Sequence, residues 1–101
     1  VPVVYGHSES VNIETAKKIT AVEVKALLAD APGVLLVDDL ANNRYPMAVE
    51  CEGKFETLVG RIRDDESIEN GINMWVVSDN ILKGAALNAV QIAEVLIEEY
   101  L

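Results

Sequence analysis

The sequence has 101 residues, half of them hydrophobic, and carries 8 Lys and Arg against 17 Asp and Glu, for a formal net charge of −9. A chain of this length forms one domain at most, and its hydrophobic content argues against a disordered tail. The acidic balance argues against nucleic acid as a partner, and no apolar run approaches the ~20 residues that cross a membrane.

The single cysteine, Cys51, and the single histidine, His7, limit the available chemistry. One cysteine excludes an internal disulfide and the CxxC motifs of zinc and redox sites, so we expect a cytoplasmic protein without a metal site. The chain begins at Val1 rather than at Met, and we therefore expect it to be a piece of a longer protein.

The first 17 residues are predicted to form two strands. Residues 1–5 are mostly β-branched or aromatic and end at Gly6, which indicates a strand. Residues 8–17 alternate in polarity, as in a half-exposed strand. One face of this strand carries Ser10, Asn12 and Glu14, and the other carries Val11 and Ile13.

Residues 20–30 are predicted to form a helix. Thr20 and Glu23 have the spacing of a capping box, in which each side chain accepts a hydrogen bond from the other residue's backbone N–H. Val24, Leu27 and Leu28 form an apolar stripe, and the Pro-Gly pair at 32–33 ends the helix. The apolar residues 34–37 then predict a short buried strand.

The second half of the chain is predicted to contain a loop, a hairpin and a helix. Residues 38–47 are rich in the turn formers Asp, Asn and Pro. Residues 55–63 and 72–77 are the strands of a predicted long antiparallel hairpin, joined by a polar turn over 64–71. Residues 81–100 predict the last helix, with Ser78, Asp79 and Asn80 as candidate N-caps.

The last helix is apolar on most of its sides. Such a helix is normally buried on several faces, so we expect a further domain or a partner subunit to cover it. The predicted order β-β-α-β-β-β-α indicates an α+β fold with a largely antiparallel or mixed sheet and two helices.

Two residue types could act chemically. His7 lies in Gly6-His7-Ser8-Glu9, where a residue that titrates near neutral pH could serve as a general acid/base, although the tetrapeptide by itself is more typical of an ordinary turn. Cys51 is flanked by Glu50 and Glu52, which would raise the pKa of its thiol. We therefore do not interpret Cys51 as a nucleophile.

Two polar segments allow both a binding and a structural interpretation. The start of the last helix could hold an anion or a polar ligand through its free N–H groups, but capping requires the same residues. The cluster of Asn42, Asn43, Arg44 and Tyr45 could bind a ligand or could simply turn the chain.

Longer motifs resemble one enzyme family. Val1-Pro2-Val3 followed by Gly6-His7-Ser8-Glu9 resembles the VPV-x-x-GHSE segment of bacterial aspartate-semialdehyde dehydrogenases. The runs GRIR at 60–63, NG at 70–71, WVVSDN at 75–80 and KGAALNAVQ at 83–91 are similar to that family's closing segment, and DD at 38–39 and N-x-x-YP at 42–46 also fit. The resemblance spans nearly the whole chain.

The resemblance implies a specific activity. The family reduces aspartyl phosphate with NADPH to aspartate semialdehyde and phosphate, on the route to lysine, threonine and methionine, through a thioester on a cysteine. By this resemblance His7 is the catalytic acid/base, and Asn80 contacts the nicotinamide of NADP. The fold would be the C-terminal dimerisation and substrate domain of the semialdehyde dehydrogenases related to glyceraldehyde-3-phosphate dehydrogenase, and the protein would form a homodimer.

The sequence also departs from the complete family pattern. The nucleophilic cysteine, the arginine that grips the substrate carboxylate and the dinucleotide-binding domain all lie upstream in the family, and no G-x-G-x-x-G occurs here. Leu40 stands where many members have Pro. We therefore expect residues 1–101 to be a partial domain that is inactive alone. The alternatives are a non-catalytic paralogue that serves as an interaction module, and a related acyl-phosphate reductase.

Overall fold

The computed structural model describes residues 1–101 as one sheet with helices packed on its two faces. In chain order the elements are β1 (His7–Glu14), α1 (Ala21–Ala29), β2 (Val34–Leu36), α2 (Ala48–Cys51), β3 (Thr57–Asp65), β4 (Gly71–Ser78), a π-helix (Leu82–Ala86) and α3 (Leu87–Tyr100). No helix combines the length and the apolar character needed to cross a membrane.

The four strands lie in the order β1-β4-β3-β2. β4 pairs antiparallel with both β1 and β3, whereas β2 runs parallel to β3. The mixed sheet and the β3–β4 hairpin confirm the predicted α+β class.

The register of β1 confirms the predicted division of its two faces. Ser10 lies opposite Trp75 and Asn12 opposite Asn73, whereas Val11 lies opposite Met74. The predicted strand over residues 1–5 is wrong, because pairing with β4 begins only at His7 and the segment before it has no partner strand. Gly6, with φ of +82°, turns the chain at this point.

The predicted capping box of α1 is confirmed. Thr20 Oγ1 accepts from the Glu23 N–H at 3.3 Å, and Glu23 Oε2 accepts from the Thr20 N–H at 2.7 Å. The predicted stripe is only partly correct, since Val24 is buried but Leu27 is 65% exposed. The prediction that residues 34–37 are buried is wrong, because β2 is an edge strand whose Leu35 points away from the core.

Two helical features were not predicted. The four residues of α2 are too few to show a helical period in the sequence, yet Ala48 and Cys51 pack with Leu58 and Val77 on one face of the sheet. The predicted single helix over 81–100 is instead a π-helix followed by α3.

The buried core is small and divided by the sheet. One cluster lies between α1 and the sheet and contains Val24, Val59, Ile62, Ile72 and Met74. Only 13 of 101 residues are buried, and none of them lies in α3. The apolar surface of the last helix is therefore exposed, in agreement with the expectation that another domain or subunit covers it.

Candidate functional site

A single hydrogen bond joins Asn80 to Gly6, the residue directly before His7. The backbone N–H of Gly6 donates to Asn80 Oδ1 at 3.0 Å, across 74 positions of sequence. Because β1 starts where β4 ends, with His7 paired to Ser78, the turn at Gly6 and the start of the last helical segment lie side by side. His7 and Asn80 are thereby held in one small region.

The His7 imidazole is exposed and rests against the π-helix. A Cβ built on Gly84 would lie 3.4 Å from both Nδ1 and Cε1 of His7, so the glycine provides a flat wall for the ring. π-helical turns inside longer helices are frequent at functional sites. The side chain forms no ion pair, and Glu9 does not orient it. His7 is thus positioned by packing and remains accessible to a ligand.

Asp79, rather than Asn80, caps the last helical segment. Asp79 Oδ1 accepts from the N–H groups of Ile81 at 2.8 Å and Leu82 at 2.9 Å, and Oδ2 accepts from the Gly53 N–H at 2.8 Å. The residue is 4% exposed. The N–H groups of Leu82 and Gly53 lower the pKa of the Asp79 carboxyl below its ordinary value. Of the three candidate N-caps, only Asp79 fulfils that role.

The amide of Asn80 is therefore free from capping. The N–H of Gly6 requires an acceptor, so the oxygen of the Asn80 amide must face Gly6. The Asn80 NH2 group makes no hydrogen bond within the chain, and it can donate to a carbonyl oxygen. A nicotinamide carboxamide presents such an oxygen, so Asn80 fits the predicted cofactor contact.

Cys51 has a structural role beneath this site. Its thiol is fully buried and donates to the Ala48 carbonyl oxygen at 3.0 Å. Burial and then the Asp79 carboxylate raise the pKa of the thiol, which keeps it protonated. A Cβ on Gly6 would lie 2.6 Å from the Cys51 sulfur. The prediction that Cys51 is not a nucleophile agrees with this environment, although burial rather than the flanking glutamates is the main cause.

The polar loop before α2 is mainly a turn. Asn42 donates from its backbone and its amide to the Asp39 carboxylate, at 3.3 and 2.7 Å. Arg44 pairs with Glu50 at 3.3 Å. These contacts favour the structural interpretation of this loop. The chain contains no group of three or more His, Cys, Asp or Glu residues that could hold a metal ion.

The sequence reasoning missed two members of the site. Gly84 was identified only as part of the KGAALNAVQ run at 83–91, and its position against His7 depends on how the π-helix lies over the start of β1. Gly53 lies 26 positions from Asp79, and no local pattern links the two.

The chain matches a known family model over residues 1–83, described as the dimerisation domain of semialdehyde dehydrogenases. It is 56% identical over 98% of its length to the aspartate-semialdehyde dehydrogenase of Aquifex aeolicus (strain VF5), and 55% identical over its full length to that of Legionella pneumophila. In each comparison it covers 29% of the relative's sequence.

The fold is similar to a solved structure. The crystal structure of aspartate semialdehyde dehydrogenase II from Vibrio cholerae superposes with a TM-score of 0.87 and 47% identity, over all of this chain and 30% of that one. The chain thus spans a little under a third of the length of the proteins it matches.

Proposed function

The chain belongs to the semialdehyde dehydrogenase family, and we propose that it supplies the acid/base and part of the cofactor wall of an aspartate-semialdehyde dehydrogenase. The proposed reaction is the NADPH-dependent conversion of aspartyl phosphate to aspartate semialdehyde and phosphate, a step in amino-acid biosynthesis in the cytoplasm. The observation that supports the proposal is the hydrogen bond from Gly6, the residue before His7, to Asn80.

His7 is proposed as the residue that transfers the proton. The ring is exposed, and Gly84 lies against its Nδ1 and Cε1, so we assign Nε2 as the nitrogen that exchanges a proton with the substrate. A positioned general acid/base contributes about 10²–10⁴-fold to a rate. The packing against Gly84 limits the directions in which the imidazole can point.

Asn80 is proposed to position the nicotinamide. NADP would supply hydride-transfer chemistry when bound, with Asn80 as a residue that would hold its nicotinamide. The Asn80 NH2 group would donate to the carboxamide oxygen of NADP, while the Gly6 N–H holds the amide oxygen. Because the amide is fixed from one side, little side-chain freedom is lost when the ligand binds.

The rest of the catalytic machinery is proposed to lie outside residues 1–101. Cys51 is buried and its thiol pKa is raised, and the sequence has no Gly-rich phosphate cradle. We therefore propose that this chain is a partial C-terminal dimerisation and substrate domain of a longer homodimeric enzyme. The 101 residues alone are expected to be inactive.

A chimaera tests these assignments. The chain replaces the matching segment of the Aquifex aeolicus relative, with which it shares 56% identity, and NADPH formation from aspartate semialdehyde, NADP and phosphate is measured. We expect the chimaera to be active, and we expect His7→Ala to lower kcat by about 10²–10⁴-fold. Glu9→Gln is the matched control, because Glu9 is exposed on the same strand and forms no ion pair.

The same assay separates the alternatives. An active chimaera that is indifferent to His7→Ala shows that His7 is not the acid/base. A chimaera that is folded and dimeric but inactive favours the non-catalytic interaction module. Activity with another acyl phosphate in preference to the aspartyl compound favours the related reductase.

A further inference from the structure

A β-bulge places two arginines on one face of the sheet. The pairing of β3 with β4 shifts register between Gly60 and Arg63, and Arg61 lies within the shift with φ of +53°. A residue other than Gly in this region is strained, and such strain is often found at binding sites. Gly60 is packed against the Val37 carbonyl and Pro46, with no space for a Cβ, so the bulged backbone is fixed.

The two arginines open into one cavity of about 390 Å³. This volume lies within the range of ligand pockets. The cavity wall also includes Ser8, Ser10, Tyr45 and Trp75, and no acidic side chain lines it. The Trp75 indole is held in place because Nε1 donates to the Pro46 carbonyl at 2.9 Å. The cavity thus combines a fixed aromatic wall, hydroxyl groups and two cations.

Neither arginine has a carboxylate partner. The ion pairs of the chain are Lys25 with Asp38 and Arg44 with Glu50. Arg63 instead donates from Nη1 to the backbone oxygen of Arg61 at 2.6 Å, which brings the two residues together. In a chain with a net charge of −9, two unpaired guanidinium groups beside one cavity form a local site of opposite charge.

We propose that this cavity binds a small molecule that carries a carboxylate or phosphate group on a flat apolar body. A guanidinium group donates two parallel hydrogen bonds to such an oxyanion, and the flat body packs against the Trp75 indole. The proposal rests on the bulge and the cavity alone and does not depend on the catalytic role of His7, which is not among the lining residues.

Trp75 is the only tryptophan of the chain, so its fluorescence reports directly on the cavity. The 101-residue chain is titrated with benzoate, which joins a carboxylate to a flat ring, and separately with inorganic phosphate. Benzamide, which keeps the ring but lacks the charge, is the matched control ligand. We expect a saturable change with benzoate, displacement of benzoate by phosphate, and a response to benzamide at least tenfold weaker.

Variants locate the charge that binds the oxyanion. The double substitution Arg61→Gln with Arg63→Gln is expected to weaken benzoate binding by tenfold or more. Lys17→Gln removes one positive charge from an exposed loop outside the cavity and should leave the affinity unchanged. If the double variant unfolds, Arg63→Gln alone provides the same test, because Arg63 does not have the left-handed φ of Arg61.

The carboxylate that binds the two arginines could instead belong to an acidic side chain of a second copy of this chain. Sedimentation at several protein concentrations distinguishes this case. If benzoate and phosphate leave Trp75 unaffected while the double variant loses self-association that the wild type shows, the arginines bind a partner's carboxylate and the proposal is wrong. Equal binding of benzamide and benzoate also overturns it, because the arginines then contribute nothing.

Discussion

Gly6 connects the candidate catalytic histidine to the rest of the molecule. Its backbone N–H binds Asn80, its left-handed φ turns the chain into β1, and its missing side chain leaves room for the buried Cys51 thiol. Each of these features constrains the position of His7, which follows directly. Gly6 therefore contributes to the site by fixing the position of His7.

Gly6→Ala is expected to destabilise the chain through two separable effects. The left-handed backbone costs about 1–2 kcal/mol for a residue with a Cβ, and the clash with the Cys51 sulfur adds about 1–3 kcal/mol. Gly33→Ala is the control, since Gly33 also has a positive φ, of +73°, but has open space around it. Urea unfolding should show a larger loss of unfolding free energy for Gly6→Ala than for Gly33→Ala. Equal losses would mean that the Cys51 thiol moves aside and that the clash adds no cost.

The Asp79 carboxylate is expected to make stability depend on pH on the acid side. Its pKa in the folded chain is lowered from 3.8 by backbone N–H groups, first that of Leu82 and then that of Gly53. The unfolded state therefore binds more protons, so this stabilisation is present above about pH 4 and is lost as the pH falls through the folded pKa.

Thermal unfolding across the acid range measures this effect. Asp79→Asn should lower the Tm at pH 7 and should flatten the dependence of Tm on pH between about pH 2 and 4. Asp30→Asn is the control, because the Asp30 carboxylate is exposed and accepts no hydrogen bond. An unchanged acid dependence in Asp79→Asn would refute the role assigned to this carboxylate.

At the scale of elements, α1 is a helix whose start is specified locally. The reciprocal hydrogen bonds of Thr20 and Glu23 satisfy N–H groups that the first turn of a helix leaves unpaired. A second contact, from the Ala21 N–H to Asp64 Oδ1 at 3.0 Å, ties the same turn to β3. The capping box thus sets the start of α1, and the contact between Ala21 and Asp64 attaches that start to the sheet.

Thr20→Ala is expected to cost about 1 kcal/mol, because it removes the acceptor for the Glu23 N–H. Thr20→Ser keeps the hydroxyl and should restore most of the loss. Chemical denaturation of the two variants beside the wild type provides the measurement. Equal stability of Thr20→Ala and Thr20→Ser would show that the hydroxyl does not contribute.

At the scale of the whole molecule, α3 is distinguished by its lack of cover. Leu96 is 48% exposed and Ile97 is 63% exposed, although both are large apolar side chains of α3. In contrast, Ile72 is 1% exposed and belongs to the core between α1 and the sheet. Apolar side chains contribute to stability only where another surface covers them.

Leu96→Ala should therefore have different effects in the two settings. In the 101-residue chain the loss should stay within about 0.5 kcal/mol, as for other surface substitutions. In the chimaera, where further chain can cover α3, the loss should rise to about 2–5 kcal/mol. Ile72→Ala, which lies in the core of both proteins, should cost about 2–5 kcal/mol in each. Equal losses for Leu96→Ala in both settings would show that α3 remains uncovered.

The sequence alone determined the features that depend on residues close together in the chain. The Thr20–Glu23 capping box, the two faces of β1 and the β3–β4 hairpin follow from spacings of a few residues. The motifs around His7 and Asn80 also identified the family correctly. These features could be predicted because hydrogen bonds within a turn and the alternation of side chains along a strand depend only on residues a few positions apart.

Only the tertiary structure decided how the site is assembled. The Gly6–Asn80 bond spans 74 positions, and the contact of Asp79 with Gly53 spans 26. The lack of a partner for residues 1–5 and the meeting of Arg61, Arg63 and Trp75 at one cavity depend on how the strands are ordered. Strand order depends on the total apolar surface that the whole chain buries. The spacing of neighbouring residues does not determine this total.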